Sequence, residues 1–231
     1  MNDQPSALLI KFPGTNCDAE TARALQTAGF VSTTVPISLV TRDHFKAAQL
    51  VVMSGGFSYG DYVMAGRIAQ LVTERKLGNA IESFIGSGGY VLGICNGFQV
   101  ITEMGLLPGV LMRNATLKFV CRTVALKVAT TQSDFTSAYR PGQEIRIPIA
   151  HHDGNYTIDA EGLVRLKDQD RIAFTYAQNP NGSMADIAGV LSENRRVLGM
   201  MPHPERATEA ALGGSDGKGL FAALMRGMAL A

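Results

Sequence analysis

An α/β fold, with an open, mostly parallel central sheet flanked by helices and with added antiparallel strands, is predicted by three features of the sequence. Short apolar runs alternate with helical patterns in the first half, turn signals multiply after Pro108, and the chain ends in one more helical run. The alternation is carried by Ala7 to Phe12 followed by Ala19 to Ala28, Leu50 to Met53 followed by Val63 to Phe84, and Tyr90 to Ile94 followed by Phe98 to Met104. These are βα units that feed a parallel sheet. The second half holds strand-like runs at Phe119 to Val128, Glu144 to Ala150, Arg171 to Ala177, Ile187 to Leu191 and Val197 to Met201. Pro141-Gly142, Asp153-Gly154, Asn179-Pro180-Asn181-Gly182 and Glu193-Asn194 separate them. Such spacing predicts antiparallel hairpins laid beside the sheet. Gly213 to Gly217 then reads as a loop and Leu220 to Leu230 as a closing helix. No repeat, low-complexity tract or Pro/Ser linker interrupts the chain, so residues 1–231 are expected to form a single domain.

Composition narrows the class of function. A chain of 231 residues buries a substantial core without disulfide or metal staples. Its 21 Lys and Arg against 20 Asp and Glu leave no global field to favour nucleic acid or an anionic membrane. No apolar run approaches the roughly 18 residues of a spanning helix, and Met1 to Ser6 lacks the basic start and apolar centre of a signal peptide. A cytoplasmic chain is expected. Three cysteines without a Cys-x-x-Cys pair suit a reducing compartment and argue against structural zinc, so no metal is expected.

The chemistry concentrates where the strand run Tyr90 to Ile94 breaks at Gly93-Ile94-Cys95-Asn96-Gly97. A strand that turns sharply into a helix lifts the turn residue above the carboxyl edge of an α/β sheet, where ligands bind. The turn packs the residues two before and two after against each other, which fits Gly93 and Gly97. Cys95 then sits at a helix N-terminus, whose unpaired N–H groups and dipole favour the thiolate. The Asn96 N–H points to where an oxyanion would form on a carbonyl attacked by the sulfur. The competing reading is a packed cysteine between ordinary loop glycines. Cys121, in an apolar strand pattern, reads as a core thiol. Cys17 precedes a helix but has Asp18 beside it, and reads as a loop residue near the site.

A nucleophilic thiol needs a base, and the chain has four histidines. His44 reads as a surface residue at a polar helix start, and His151 and His152 end the Arg146 to Ala150 run. His203 follows the apolar run Val197 to Met201 within Met201-Pro202-His203-Pro204-Glu205-Arg206. The flanking prolines hold this segment extended, so residues two apart project to one side and Glu205 can accept a hydrogen bond from the His203 ring. Cys95, His203 and Glu205 together satisfy the logic of nucleophile, base and orienting group.

These residues carry a resemblance. Gly93 to Gln99 followed by His203-Pro204-Glu205 resembles the class I (triad) glutamine amidotransferases, whose fold is flavodoxin-like. More narrowly, four segments resemble the family of glutaminase subunits of phosphoribosylformylglycinamidine synthase: Ser54 to Asp61, Asn96-Gly97-Phe98-Gln99, Arg146 to His151 and Met201 to Arg206. The match runs from Pro13-Gly14-Thr15-Asn16-Cys17-Asp18 to Gly213-Gly214-Ser215-Asp216-Gly217. One departure is visible: many relatives follow the position of His151 with Gly-Glu-Gly, and this chain has His152-Asp153-Gly154.

The resemblance implies that Cys95 attacks the side-chain amide of glutamine, that His203 relays the proton to ammonia, and that a glutamyl thioester is hydrolysed to glutamate. It implies oxyanion donors at the backbone of Asn96, Gly56 and Phe57, and substrate contacts at Gln99 and Gly55. It also implies a partner synthetase subunit, and a small accessory subunit of the same complex, in de novo purine biosynthesis. The synthetase would bind ATP and magnesium and use the ammonia to convert formylglycinamide ribonucleotide to formylglycinamidine ribonucleotide. This chain itself is expected to bind no cofactor: Gly217-Lys218-Gly219 is only a fragment of a phosphate-binding loop. Tyr59, Asp61, Tyr62, Arg67 and residues 113–118 are candidate partner contacts. Two other readings stay open, a stand-alone cysteine hydrolase and a scaffold with a packed Cys95. Dependence on a partner separates the first from a subunit, and Cys95→Ala separates the second.

Overall fold

The computed structural model describes residues 4–229, so Met1 to Asp3, Leu230 (the expected end of the last helix) and Ala231 lie outside the described residues. The first half is a run of βα units. β1 (Ser6–Lys11) leads to α1 (Asp18–Ala28), β2 (Val31–Pro36) to α2 (Arg42–Ala47), β3 (Leu50–Met53) to α3 (Arg67–Leu77) and α4 (Ala80–Gly86), and β4 (Tyr90–Ile94) to α5 (Asn96–Glu103). β3 and β4 are buried at every residue, as strands covered by helices on both faces must be. The helical pattern expected over Val63 to Phe84 is broken twice, because residues 62–66 form a turn and Gly78 adopts a positive φ of 55° that ends α3.

The second half holds β5 (Val110–Met112), β6 (Val120–Val128), β7 (Glu144–His151), β8 (Asn155–Thr157), α6 (Ala160–Asp168), β9 (Ile172–Tyr176), β10 (Ile187–Leu191), β11 (Val197–Met200) and α7 (Lys218–Ala229). The antiparallel strands expected beside the sheet continue it by direct hydrogen bonding. One nine-stranded sheet runs in the order β2-β1-β3-β4-β11-β10-β9-β6-β7, while β5 and β8 pair separately. The strands from β2 to β11 in that order are parallel, and those from β11 to β7 antiparallel. Pro148 sits inside β7, which is tolerated because β7 is an edge strand.

β11 returns to the middle of the sheet, beside β4, and this positions the site. Its register pairs Gly199 with Gly93 and Met200 with Ile94, while β3 pairs Met53 with Gly93 on the other side of β4. Three strands therefore end at one level of the carboxyl edge, where ligand sites of α/β sheets form. Although β7 lies at the far end of the sheet, its last residues also reach this edge. The His203 N–H donates to the Pro148 carbonyl at 2.8 Å, and the Ala150 carbonyl lies 3.7 Å from Cys95 Sγ.

Candidate active site

Cys95 stands at the turn from β4 into α5 with φ 52° and ψ −107°, a backbone conformation that L residues rarely adopt. The turn survives because its flanks are glycines. A Cβ on Gly97 would fall 1.8 Å from the Met53 carbonyl oxygen, and one on Gly93 would fall 2.7 Å from that of Gly97. The close approach of the two positions flanking the elbow follows directly. Cys95 N–H donates to the Met200 carbonyl at 2.8 Å, tying the elbow to the end of β11. The Asn96 N–H is the first of α5, where no intrahelical acceptor exists.

Past β11 the Pro202-His203-Pro204-Glu205 segment turns back over this edge. His203 Nδ1 and Glu205 Oε1 are 2.6 Å apart, and the relative exposures of Cys95, His203 and Glu205 are 5%, 1% and 2%. Burial is the largest influence on His203 and pulls it toward the neutral form. The charges of Glu205 and Cys95, with the polar sulfurs of Cys17 and Cys95 close by, outweigh it and hold the pKa well above the ordinary histidine value. The ring thus lies between a carboxylate on one side and thiols on the other. His203 Nε2 is buried without a hydrogen-bond partner, as is Glu205 Oε2.

The other predicted residues are placed less simply. Gly55 gives room to the imidazole: a Cβ there would lie 2.6 Å from His203 Cε1. Gly56 has φ 148° and packs on Gly14 to Asn16. The expectation of a free Phe57 N–H at the oxyanion is corrected, because that N–H donates to the Gly14 carbonyl at 3.0 Å. An antiparallel bridge between Thr15 and Gly56 holds the two segments in that register. Gln99 faces no open substrate space. Its Nε2 donates to the Asp153 carbonyl at 2.6 Å and its Oε1 accepts from Asn96 Nδ2 at 2.9 Å. Asn96 also donates to Asp61 Oδ1 at 3.2 Å and accepts from the Ser58 N–H at 3.2 Å. Two loops, residues 57–61 and 151–154, are thereby fastened to the first turn of α5.

Several contacts and placements went unread in the sequence. Cys17 lies in the loop just before α1 and near the site, as expected, but the sequence did not show that it is buried there or that Arg206 Nη2 donates to its sulfur at 2.9 Å. Asp18, expected to oppose a Cys17 thiolate, pairs with Lys11 at 2.6 Å. Cys121, expected in the core, is exposed because its position on β6 points outward. Asn114, expected on a partner surface, is buried and holds His151 through Nδ1 at 3.1 Å. The His203–Glu205 pair is local and legible, although Pro204–Arg206 form a 3-10 turn and not the extended segment expected from the prolines; contacts such as Asn114 to His151, or Cys17 to Arg206, close only in three dimensions.

A thiol at an elbow, an imidazole and the carboxylate that holds it, all on one sheet edge, suit acyl transfer from an amide or ester through a thioester. A metal is the other use for such donors, since Cys17, His203 and Glu205 offer ligand atoms within 4.8 Å of one another. Glu205 is already engaged by His203, and the fixed charge of Arg206 on Cys17 opposes a cation there.

Comparison with known proteins agrees with this chemistry. Residues 4–213 match the family model described as a CobB/CobQ-like glutamine amidotransferase domain. The phosphoribosylformylglycinamidine synthase subunit PurQ of Cereibacter sphaeroides is 57% identical over 230 residues, covering 97% of this chain and 99% of the relative. A solved structure of PurLQS from Thermotoga maritima superposes with a TM-score of 0.87 at 38% identity, covering 97% of this chain and 99% of that one. A glutamine amidotransferase of the same organism, 15% identical, shares the fold with a TM-score of 0.66 over 99% of both chains. The chain belongs to the CobB/CobQ-like glutamine amidotransferase family.

Proposed function

We propose that this chain is the glutaminase subunit of a phosphoribosylformylglycinamidine synthase, acting as a single amidotransferase domain in the cytoplasm. The observation that carries the chemistry is the left-handed Cys95 at the β4 to α5 elbow beside the buried His203–Glu205 pair. Cys95 Sγ attacks the carboxamide carbon of glutamine, and the oxyanion is received by the Asn96 N–H and the glycine loop at Gly56. His203, held by Glu205, gives its proton to the nitrogen, the carbon–nitrogen bond breaks and ammonia leaves. Water, deprotonated by His203, then cleaves the thioester and glutamate departs. Ammonia passes to a partner synthetase, which holds ATP and magnesium and acts on formylglycinamide ribonucleotide.

The relatives' printed names support the partner, since they are subunits of that synthase and the Thermotoga maritima structure is a PurLQS assembly. Among the described residues no helix is long and apolar enough to cross a membrane. The closed site supports a partner-dependent activity, because the triad is buried and Gln99 is engaged by Asp153. The test is glutamate release from glutamine by the purified chain, alone and with a synthetase, ATP and formylglycinamide ribonucleotide. Release is expected to rise in the complex and to fall at least about 1,000-fold in Cys95→Ala, as removal of a nucleophile does. Glutamine-dependent turnover retained by Cys95→Ala would refute the assignment.

A further inference from the structure

His151 is a second buried imidazole at the same sheet edge, and the mechanism above gives it no task. It ends β7 on the face shared by Ile145, Ile147 and Ile149. It follows the carbonyl that lies 3.7 Å from Cys95 Sγ and comes three residues after the carbonyl that binds the His203 N–H. Its protonation state follows from its neighbours. Asn114 Nδ2 donates to two backbone carbonyls, those of Lys118 and His151, each at 2.9 Å, which fixes the orientation of the amide. Asn114 Oδ1 is therefore the acceptor, taking the Gly154 N–H at 3.1 Å and His151 Nδ1 at 3.1 Å. His151 must carry its proton on Nδ1, and Nε2 is left with a lone pair. That atom is buried and has no partner.

A buried acceptor without a donor is costly, and in an active site it marks where a ligand's N–H is missing. Burial, with the charge of His203 acting in the same direction, lowers the pKa of His151 to about 4. The two imidazoles are thus set apart: His203 carries the proton that moves, and His151 stays neutral. A carboxamide at Cys95 brings two N–H groups as well as its carbonyl, and the ammonia it becomes brings three. A neutral acceptor binds these without protonating ammonia, whose protonation would remove its nucleophilic pair.

We propose that His151 Nε2 accepts an N–H of the scissile carboxamide, and then of the departing ammonia, making His151 a substrate-contacting residue that favours amides over esters. In the acylation step the Cys95 sulfur–carbon bond forms, the carbon–nitrogen bond breaks and the proton of His203 goes to nitrogen, while His151 neither gains nor loses a proton. The inference rests on the glutaminase reading above and adds the residue that receives the leaving group.

The test compares L-glutamine with L-glutamate γ-methyl ester, whose leaving group offers no N–H to the acceptor, using the chain in complex with its synthetase. His151→Ala is expected to lower kcat/KM for glutamine on the order of 10- to 100-fold while changing that for the ester by less than about threefold. His151→Phe keeps a ring and removes the lone pair, and should show the same split. His151→Gln, which restores an acceptor oxygen, should recover most of the amide activity. Equal losses on amide and ester in both His151→Ala and His151→Phe, or undiminished glutamine hydrolysis, would overturn the proposal while leaving the glutaminase reading intact. A wild-type complex that releases no glutamate from glutamine would overturn both.

Discussion

Asp61 is pulled in two directions. Burial pushes its carboxyl up, hydrogen bonds from the Gly66 backbone and the Asn96 amide pull it down, and the charge of Asp153 adds to the rise, leaving a pKa of about 6. A carboxyl raised in the folded state favours folding while it is protonated, so its contribution is complete below pH 4 and lost as pH rises through 6. Asp61→Asn removes that dependence and keeps both an acceptor for Asn96 and a side chain suited to φ 50°. Its stability relative to wild type should therefore increase between pH 4 and 7, by roughly 1 kcal/mol after solvent screening. Denaturant melts of the two proteins across that range measure it, and a flat difference would refute the assignment to Asp61. His151 has the opposite sign: lowered to about 4, it favours folding above pH 6.5 and withdraws support as pH falls toward 4. The wild-type profile sums these two with every other shifted group, His203 included, which is why the difference between variants is the informative quantity. Neither residue's role was legible in the sequence. Asp61 meets Asn96 across 35 positions and His151 meets Asn114 across 37, and only the fold brings them together.

The elbow and the helices beside it make opposite demands on glycine. A Cβ at Gly97 would meet the backbone of Met53 at 1.8 Å, and backbone in a buried strand has little room to yield. Gly97→Ala should cost about 3 kcal/mol. Gly86 ends α4 without a positive φ and with nothing within 4 Å of an added Cβ. Gly86→Ala should therefore stabilise by about 0.5–1 kcal/mol. Chemical denaturation of the pair measures both, and a neutral Gly97→Ala would show that the elbow relaxes. The same packing explains which elements the sequence revealed. β4 and β3 match the expected Tyr90 to Ile94 and Leu50 to Met53 because complete burial writes an uninterrupted apolar run. β2 was missed, since Val31-Ser-Thr-Thr-Val-Pro is an edge strand exposed along most of its length. The added antiparallel strands were legible, but their order in the sheet was not. Turn signals specify hairpins but not the strand against which a hairpin docks, and the pairing of β11 with β4 spans more than 100 residues.

On the whole-molecule scale, the loop that precedes α3 links the surface to the elbow. Tyr62 and Val63 are 87% and 76% exposed, and Met64 beside them is also exposed. Phe57 stacks on Phe119 with ring centroids 6.3 Å apart, which joins this loop to residues 117–119. Exposed apolar side chains grouped in this way suit a docking surface. Inward from the same loop, the Ser58 N–H and Asp61 carboxylate hold the Asn96 side chain at the first position of α5, and the Phe57 N–H is held by Gly14. Docking on residues 62–64 would thus bear on the backbone that carries Cys95. Val63→Asp places a charge in this patch without touching the triad or the core. Glutamine-dependent synthesis by the complex should fall by 10-fold or more, the cost of burying an unpaired charge at an interface. Synthesis driven by ammonium salt should be unchanged, because the synthetase then needs no glutaminase, and the variant's melting temperature should stay within about 2 °C of wild type, as for an exposed substitution. If glutamine-dependent synthesis stayed at the wild-type level, the docking face would lie elsewhere, and the contacts from Ser58 and Asp61 to Asn96 would only brace the elbow within the subunit.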